Sequence, residues 1–317
     1  MSAPGFSDPP SSNSALRARL YAGDLFKLPA SAASAALVTE VRGLLRDELC
    51  AGLPNDVDPR DAQPYLSELE FFERIGRVRQ TLYMDPHFHR ALREVIEASG
   101  FDPEHVAFDP LRLRTVCHDG HQNPRAAAVY LPHRDTWYGH PDCLVAWWIA
   151  LDQLQAHETF EFFPERFAQP VPNDSERFDY DAWVERGWSL KIGWQEVDAG
   201  LRTHYPAAQL GGVDVGPRVG FCAAPGENLL FAGAHLHRTL PQATGRTRFS
   251  LDFRIVDLRD RYGLKDRIRI VASAKLVNPA DVAWAICLGA DFITSARGFM
   301  FSMGCIQALK CNRNTCP

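Results

Sequence analysis

The sequence has no apolar run approaching the roughly 18 residues that cross a bilayer, so a transmembrane helix is not expected. It also lacks a basic excess: 34 Lys and Arg against 39 Asp and Glu leave a net charge of −5. Without surplus cations to release phosphate counterions, nucleic acid is not expected as the main partner. The opening MSAPGFSDPPSSNSA carries neither a basic stretch nor an apolar one. It predicts a flexible tail over residues 1–14 rather than a secretory signal. Eight cysteines without such a signal predict reduced thiols in a cytoplasmic protein, open to metal, and no disulfide framework. What remains is ordinary globular material. Hydrophobic residues make up 46% and charged residues 23% of 317 positions, enough for one large domain or two modest ones.

From about Ser14 to Gly100 the pattern is helical. SAALVTEVRGLLRDEL spaces its apolar residues by three and four, and DPHFHRALREVIEASG opens on Asp and closes on Gly. The period then shifts to short β-rich runs broken by Gly, Pro and Asn: RLRTVCH, RAAAVYLPHRD, CLVAWWIALD, RVGFCAAPGENLLFAGAHLH and RTRFSLDFRIVDL. These predict a mainly β sandwich or barrel carrying N-terminal helices. A mixed stretch from about 157 to 210 interrupts them, with a helix expected around DYDAWVERGWSL. Long insertions of this kind are commonly lids or substrate walls. After about Leu258, RIRIVASAKL, NPADVAWAICLGA, DFITSAR and GFMFSMGCIQALKC read as strand, helix, strand and helix. Two β/α units cannot cover both faces of a sheet, so residues 259–317 read as part of something larger.

The chemistry concentrates in LPHRDTWYG, where His133 and Asp135 stand two apart at the end of a β-like run. Alternation along a strand would aim both side chains at one point. GENLLFAGAHLHRT supplies two further histidines, His235 and His237, about a hundred residues later. Two His and one carboxylate with open positions suit a non-haem Fe(II) centre that activates oxygen. Read as a hairpin turning at Gln242–Gly245, HRTLPQATGRTRFSLDFR pairs the His-bearing strand with the next one. Arg248, Ser250, Asp252 and Arg254 then share one face, and Phe249, Leu251, Phe253 and Ile255 the other. A buried Arg followed by Ser beside a metal-binding His calls for a carboxylate, which the planar guanidinium fork and the hydroxyl would hold together.

On His133-x-Asp135, the distal His of GAHLH and Arg248-x-Ser250, residues from about 20 to 258, within a domain expected over 15–258, resemble the Fe(II)/2-oxoglutarate-dependent oxygenases, in the phytanoyl-CoA dioxygenase-like branch. The resemblance implies a double-stranded β-helix, or jelly roll, with iron on His133, Asp135 and His237. Arg248, with Ser250, would take the far carboxylate of 2-oxoglutarate. It selects His237 with Arg248 by their spacing of eleven; His235 with Arg246 has the same spacing but lacks the following Ser. It also implies oxygen-dependent decarboxylation of 2-oxoglutarate to succinate and CO2, coupled to oxidation of a small molecule. An intact carboxylate at Asp135 points to hydroxylation or a related oxidation, because halogenases of this kind replace it with a small residue. Trp137, Tyr138 and Trp147 are candidates to line the substrate pocket, and Arg114 to contact an acidic group; His118, His121 and His140 read as loop or supporting residues.

The final segment resembles a different family. GLKDRIRIVASAKLVNPADVAWAICLGADFITSARGFMFSMGCIQALKCNRNTCP is similar to the FMN-binding domain of glutamate synthases, where a C-x5-C-x4-C motif holds a [3Fe–4S] cluster. Cys305, Cys311 and Cys316 match that motif. With only a fragment of that domain present, neither FMN nor a cluster is expected, and the cysteines read as vestigial. Two alternatives stand beside the oxygenase: a flavin/iron–sulfur fragment of the glutamate synthase type, and a β-barrel binding module without turnover. A homodimer is compatible with either picture.

Overall fold

The computed structural model describes residues 5–123, 130–182, 204–258, 271–273, 276, 278–287 and 290–306. Most of the expected insert helix lies outside these residues, as do Cys311 and Cys316. The chain divides into two compact units, residues 1–256 and 257–317.

The first unit opens with four helices, α1 (Asn13–Tyr21), α2 (Ala32–Leu49), α3 (Glu68–Met84) and α4 (Pro86–Ala98). Their starts carry the expected chemistry. Ser31 and Ser34 form a reciprocal capping box at α2, and the Asp85 side chain accepts from His87 N–H at 2.8 Å to start α4. Gly100, with φ +83°, follows the end of α4, in the left-handed region that glycine enters without penalty.

The strands of this unit are β1 (Phe26–Leu28), β2 (Val106–Phe108), β3 (Arg112–Val116), β4 (Leu144–Ala150), β5 (Phe160–Phe162), β6 (Asn228–Ala232), β7 (His237–Thr239) and β8 (Arg248–Asp257). Six of them form one sheet in the order β1-β6-β4-β8-β2, with β3 also paired to β8. The pairs β1–β6, β6–β4, β4–β8 and β3–β8 are antiparallel. β5 and β7 make a separate antiparallel pair.

Strand alternation sorts the core into two layers. Val145, Trp147, Ile149, Leu230, Phe249, Leu251, Phe253 and Ile255 pack with helix residues such as Leu37, Val41, Phe71, Ile75 and Leu92. Leu144, Ala146, Trp148, Ala150, Leu229 and Phe231 face the other way, against Phe160, Phe162 and Phe221. Helices therefore cover one face of the large sheet, and the small β5–β7 layer covers the other.

Two expectations are corrected here. The chain is mixed α/β with antiparallel sheets rather than mainly β. Helices α2 and α3 alone hold 18 and 17 residues, whereas several β-rich runs condense into three-residue strands or isolated bridges. The hairpin also does not form. β7 pairs with β5 and β8 with β4 and β3, so the link between them passes from one layer to the other. That crossing is held by Leu240 N–H to Thr159 O at 3.2 Å and by buried Gln242, whose amide donates to Glu158 O at 3.0 Å.

In the second unit, β9 (Val271–Ser273) and β10 (Phe292–Thr294) pair in parallel, with α5 (Pro279–Cys287) between them and α6 (Ala296–Ser302) after. Trp284, Phe292, Phe299, Met303 and Ile306 are all more than half exposed. Among the described residues, no helix is long and apolar enough to cross a membrane.

Candidate metal centre

His133 and His237 are joined by a two-way backbone bridge, each N–H donating to the other's carbonyl at 3.0 Å. This brings their rings to 4.5 Å between centroids. Asp135 is not on the strand expected for it. His133 occupies the bridge, and Asp135 opens the 3₁₀ turn Asp135–Tyr138. The turn is tied to the β6–β7 link by Thr136 N–H to Gly233 O at 3.3 Å. Gly233 leaves room for that approach: a Cβ there would lie 2.8 Å from Leu144 Cδ2 and 3.4 Å from Asp135 Cβ, so the buried leucine would have to shift.

One ligand-type atom from each of His133, Asp135 and His237 lies within 4.8 Å of the others. His133 Nδ1 sits 2.8 Å from Leu131 O, and His237 Nδ1 sits 3.0 Å from His235 O. A carbonyl only accepts, so both Nδ1 atoms carry the proton and both Nε2 atoms keep their lone pairs. Burial, with the neighbouring His237, pulls the His133 pKa down to about 3. Burial also lowers that of His237, partly offset by Asp135. Both rings are therefore neutral at pH 7, as metal binding needs. Burial alone would raise the pKa of Asp135. The positive groups around it, Arg254 first, more than reverse this and hold the carboxyl well below the usual carboxylate range. Two neutral imidazoles and one carboxylate are a donor set suited to a divalent transition metal.

The polar face of the large sheet looks toward this cluster. Arg248 and Ser250 are buried at 1% and 0% exposure. Arg248 Nε and Nη1 and Ser250 Oγ have no hydrogen-bond partner among the described residues. Burial, together with Arg114, depresses the Arg248 pKa to about 9. A buried guanidinium with open donors beside a buried hydroxyl is a pocket that an anion would complete. Arg114 links the two features. Its guanidinium pairs with Asp252 at 2.9 Å and lies within electrostatic reach of both Asp135 and Arg248.

The remaining candidates separate by position. Tyr138 packs edge-on to His133 at 5.5 Å and also meets Phe178 and Tyr205 of the 157–210 insert. Trp137 packs against the cluster of Phe163, Val171 and Leu236, with the Arg134 guanidinium over its ring. Trp147 is corrected: it lies on the helix side of the sheet, stacked on Phe253 with its indole N–H donated to Asn228 Oδ1. The alternation that hides Trp147 turns Trp148 to the site side. His235 is fully buried among Phe162, Phe167 and Phe231 and does not join the three-residue cluster. Arg246 is a surface partner of Asp58 and Asp61. His118 accepts from Gly245 N–H, and His121 packs on Tyr130. His140 is close enough to Asp135 and Arg254 to feel both. Cys305 is half-buried, with its thiol free. Sequence reasoning missed Arg254 and Asp109. Arg254 was legible as a member of the Arg248 face, whereas nothing local marked Asp109.

Comparison with known proteins bears on the tail most directly. Residues 254–317 match the family model for the conserved region in glutamate synthase. The same stretch is 56% identical over 64 residues to the glutamate synthase large subunit-like protein YerD of Bacillus subtilis. That match covers 20% of this chain and 12% of the relative, so the chain spans about an eighth of that relative's length. Solved structures similar to the chain include EvdO2 from Micromonospora carbonacea var. aurantiaca, at 17% identity and TM-score 0.42, covering 80% of this chain and 94% of EvdO2. EvdO2 is also known complexed with 2-oxoglutarate, at TM-score 0.40. The epimerase SnoN, in complex with Fe3+, alpha ketoglutarate and nogalamycin RO, follows at 15% identity and TM-score 0.39, covering 77% of this chain and 85% of SnoN.

Proposed function

We propose that residues 15–258 form a non-haem Fe(II)/2-oxoglutarate-dependent oxygenase of double-stranded β-helix type, acting on a small molecule. The observation that carries this reading is the pairing of two features at one site. A buried two-His, one-carboxylate cluster lies on one side, and a buried Arg248–Ser250 pair with unsatisfied donors lies on the polar face opposite. A structural metal site would not explain the orphaned guanidinium, and a simple anion site would not explain the imidazoles. A binding module without turnover would need neither together.

His133, Asp135 and His237 would hold Fe(II), and Arg248 with Ser250 would fix the distal carboxylate of 2-oxoglutarate. Bound together with O2, these groups would supply oxidative decarboxylation of 2-oxoglutarate to succinate and CO2 coupled to oxidation of the substrate. The chain's own contribution is orientation and exclusion of water. The phenylalanines of the interlayer core shield the histidines, and Tyr138 closes one side of His133. Substrate would enter past Tyr138, Phe178 and Tyr205, where the insert reaches the site. Residues 259–317 would stand outside this chemistry, as a glutamate synthase-type segment without FMN or a cluster.

The test is anaerobic addition of Fe(II) and 2-oxoglutarate, followed by oxygen. A visible metal-to-ligand charge-transfer band and then succinate are expected. Absence of both would end the oxygenase reading.

A further inference from the structure

The two oxygens of Asp135 have different neighbours. Oδ1 lies 3.7 Å from His133 Nε2, and Oδ2 lies 3.6 Å from Arg254 Nε, an ion-pair distance; this buried Nε has no hydrogen-bond partner among the described residues. Arg254 is itself gripped at three points by one residue. Its Nη1 is 3.1 Å from Asp109 Oδ2, its backbone N–H donates to Asp109 Oδ1, and its carbonyl accepts from Asp109 N–H at 3.1 Å. Arg112 Nη2 meets the same Asp109 Oδ2 at 2.9 Å, so this carboxylate is held from two sides. Other charged or titratable groups within electrostatic reach of Arg254 are Asp252, paired with Arg114 on the adjacent strand, the guanidinium groups of Arg112 and Arg114, His140, His237 and Tyr138.

We propose that Arg254, locked by Asp109, is a positioning residue for Asp135. It restrains Oδ2 so that the carboxylate offers the metal one oxygen, Oδ1, and leaves the remaining coordination positions open. The proposal rests on the metal reading above and adds to it. A carboxylate free to rotate can bind through both oxygens and occupy a position that a co-substrate needs. Loss of a group that orients a metal ligand typically costs about 10- to 100-fold in metal affinity. The geometry also explains why this position is an arginine. Nε and Nη1 diverge toward two different carboxylates, Asp135 and Asp109. A lysine ammonium is a single point charge and cannot face the two carboxylates from separate nitrogens.

The test is anaerobic Co(II) titration of the full chain, reading apparent Kd and the visible ligand-field spectrum. Wild type is compared with Arg254→Met, Arg254→Lys, Asp109→Asn and His133→Ala. Arg254→Met is expected to bind about 10- to 100-fold more weakly, with an altered band pattern. Arg254→Lys should recover part of the affinity, and Asp109→Asn should shift the spectrum in the same direction as Arg254→Met. Circular dichroism establishes that each variant is folded; if Arg254→Met is not, the lysine and asparagine variants decide. Folded variants with wild-type Kd and spectrum would reduce Arg254 to a structural ion pair and overturn the proposal. A wild-type chain that binds Co(II) no better than His133→Ala would instead remove the metal reading, and the proposal with it.

Discussion

Replacing Arg248 with Met should separate what this residue does for function from what it does to stability. Arg248 is wholly buried, and its Nε and Nη1 have no hydrogen-bond partner among the described residues. Its pKa falls from an ordinary 12.5 to about 9, mainly through burial. At about 1.4 kcal/mol per tenfold change in protonation, that depression corresponds to roughly 5 kcal/mol against the charged form. Structural relaxation and the lost packing of the longer side chain reduce what a substitution recovers. Relief of a buried, uncompensated charge by an apolar residue of similar length is expected to gain about 1–4 kcal/mol. The apo variant should therefore melt higher than the apo wild type.

The sign reverses for ligand. Removing one partner of a buried charge-assisted pair weakens binding by about 2–4 kcal/mol, or roughly 30- to 1000-fold. At 100 times its Kd, 2-oxoglutarate would stabilise the wild type by about 2.7 kcal/mol, and at the same concentration the variant by far less. The assay is differential scanning calorimetry with and without 2-oxoglutarate under anaerobic Fe(II). A variant less stable than wild type, with an undiminished ligand shift, would refute the reasoning. Arg248 would then be a structural residue whose donors are satisfied in solution.

His237→Ala should abolish Fe(II) binding, while His235→Leu should retain it; equal loss in both would contradict the three-residue cluster. The second variant should also be less acid-sensitive. Burial and the adjacent His237 hold the His235 pKa near 3. The unfolded chain therefore binds a proton first, and stability falls as pH drops from about 6.5 toward 3. Removing His235 should flatten that fall by up to about 1.4 kcal/mol per pH unit, measured by denaturation between pH 4 and 7. Trp147→Ala should destabilise the first unit by about 3–5 kcal/mol, measured by urea unfolding, because the indole fills the helix-side core. Deleting residues 265–317 should leave Fe(II) and 2-oxoglutarate affinity unchanged, because β8 ends at Asp257; weaker binding would give the tail a role at the site.

Local chemistry made several features readable in advance. Helix α4 is bounded by an Asp cap and a left-handed Gly, and both signals lie within a few residues of the boundary they set. The Arg248, Ser250, Asp252, Arg254 face was readable because strand alternation depends only on the backbone. The register across β8 bears this out, pairing Arg112 with Asp252 and Arg114 with Ser250. Other features failed for an equally definite reason. Trp147 and Trp148 are indistinguishable in sequence, and only the sheet's two different coverings tell which faces helices and which faces the site.

The ligand set illustrates the same division. Residue types and spacing nominated His133, Asp135 and a histidine in GAHLH, because imidazole and carboxylate donors are rare enough to stand out together. Spacing alone could not choose between His235 and His237, since both precede an arginine by eleven residues; only the Ser250 that follows Arg248 favoured His237. The choice belongs to the bridge between His133 and His237, a contact across about a hundred residues that no local pattern encodes. The same holds for Asp109, which becomes a partner of Arg254 only when β8 is laid beside the segment that leads into β3. By itself, the sequence determined which chemistry the chain could carry and which faces its helices and strands would present. Only the tertiary structure decided which donors meet, because side chains distant in sequence become neighbours through backbone pairing and burial.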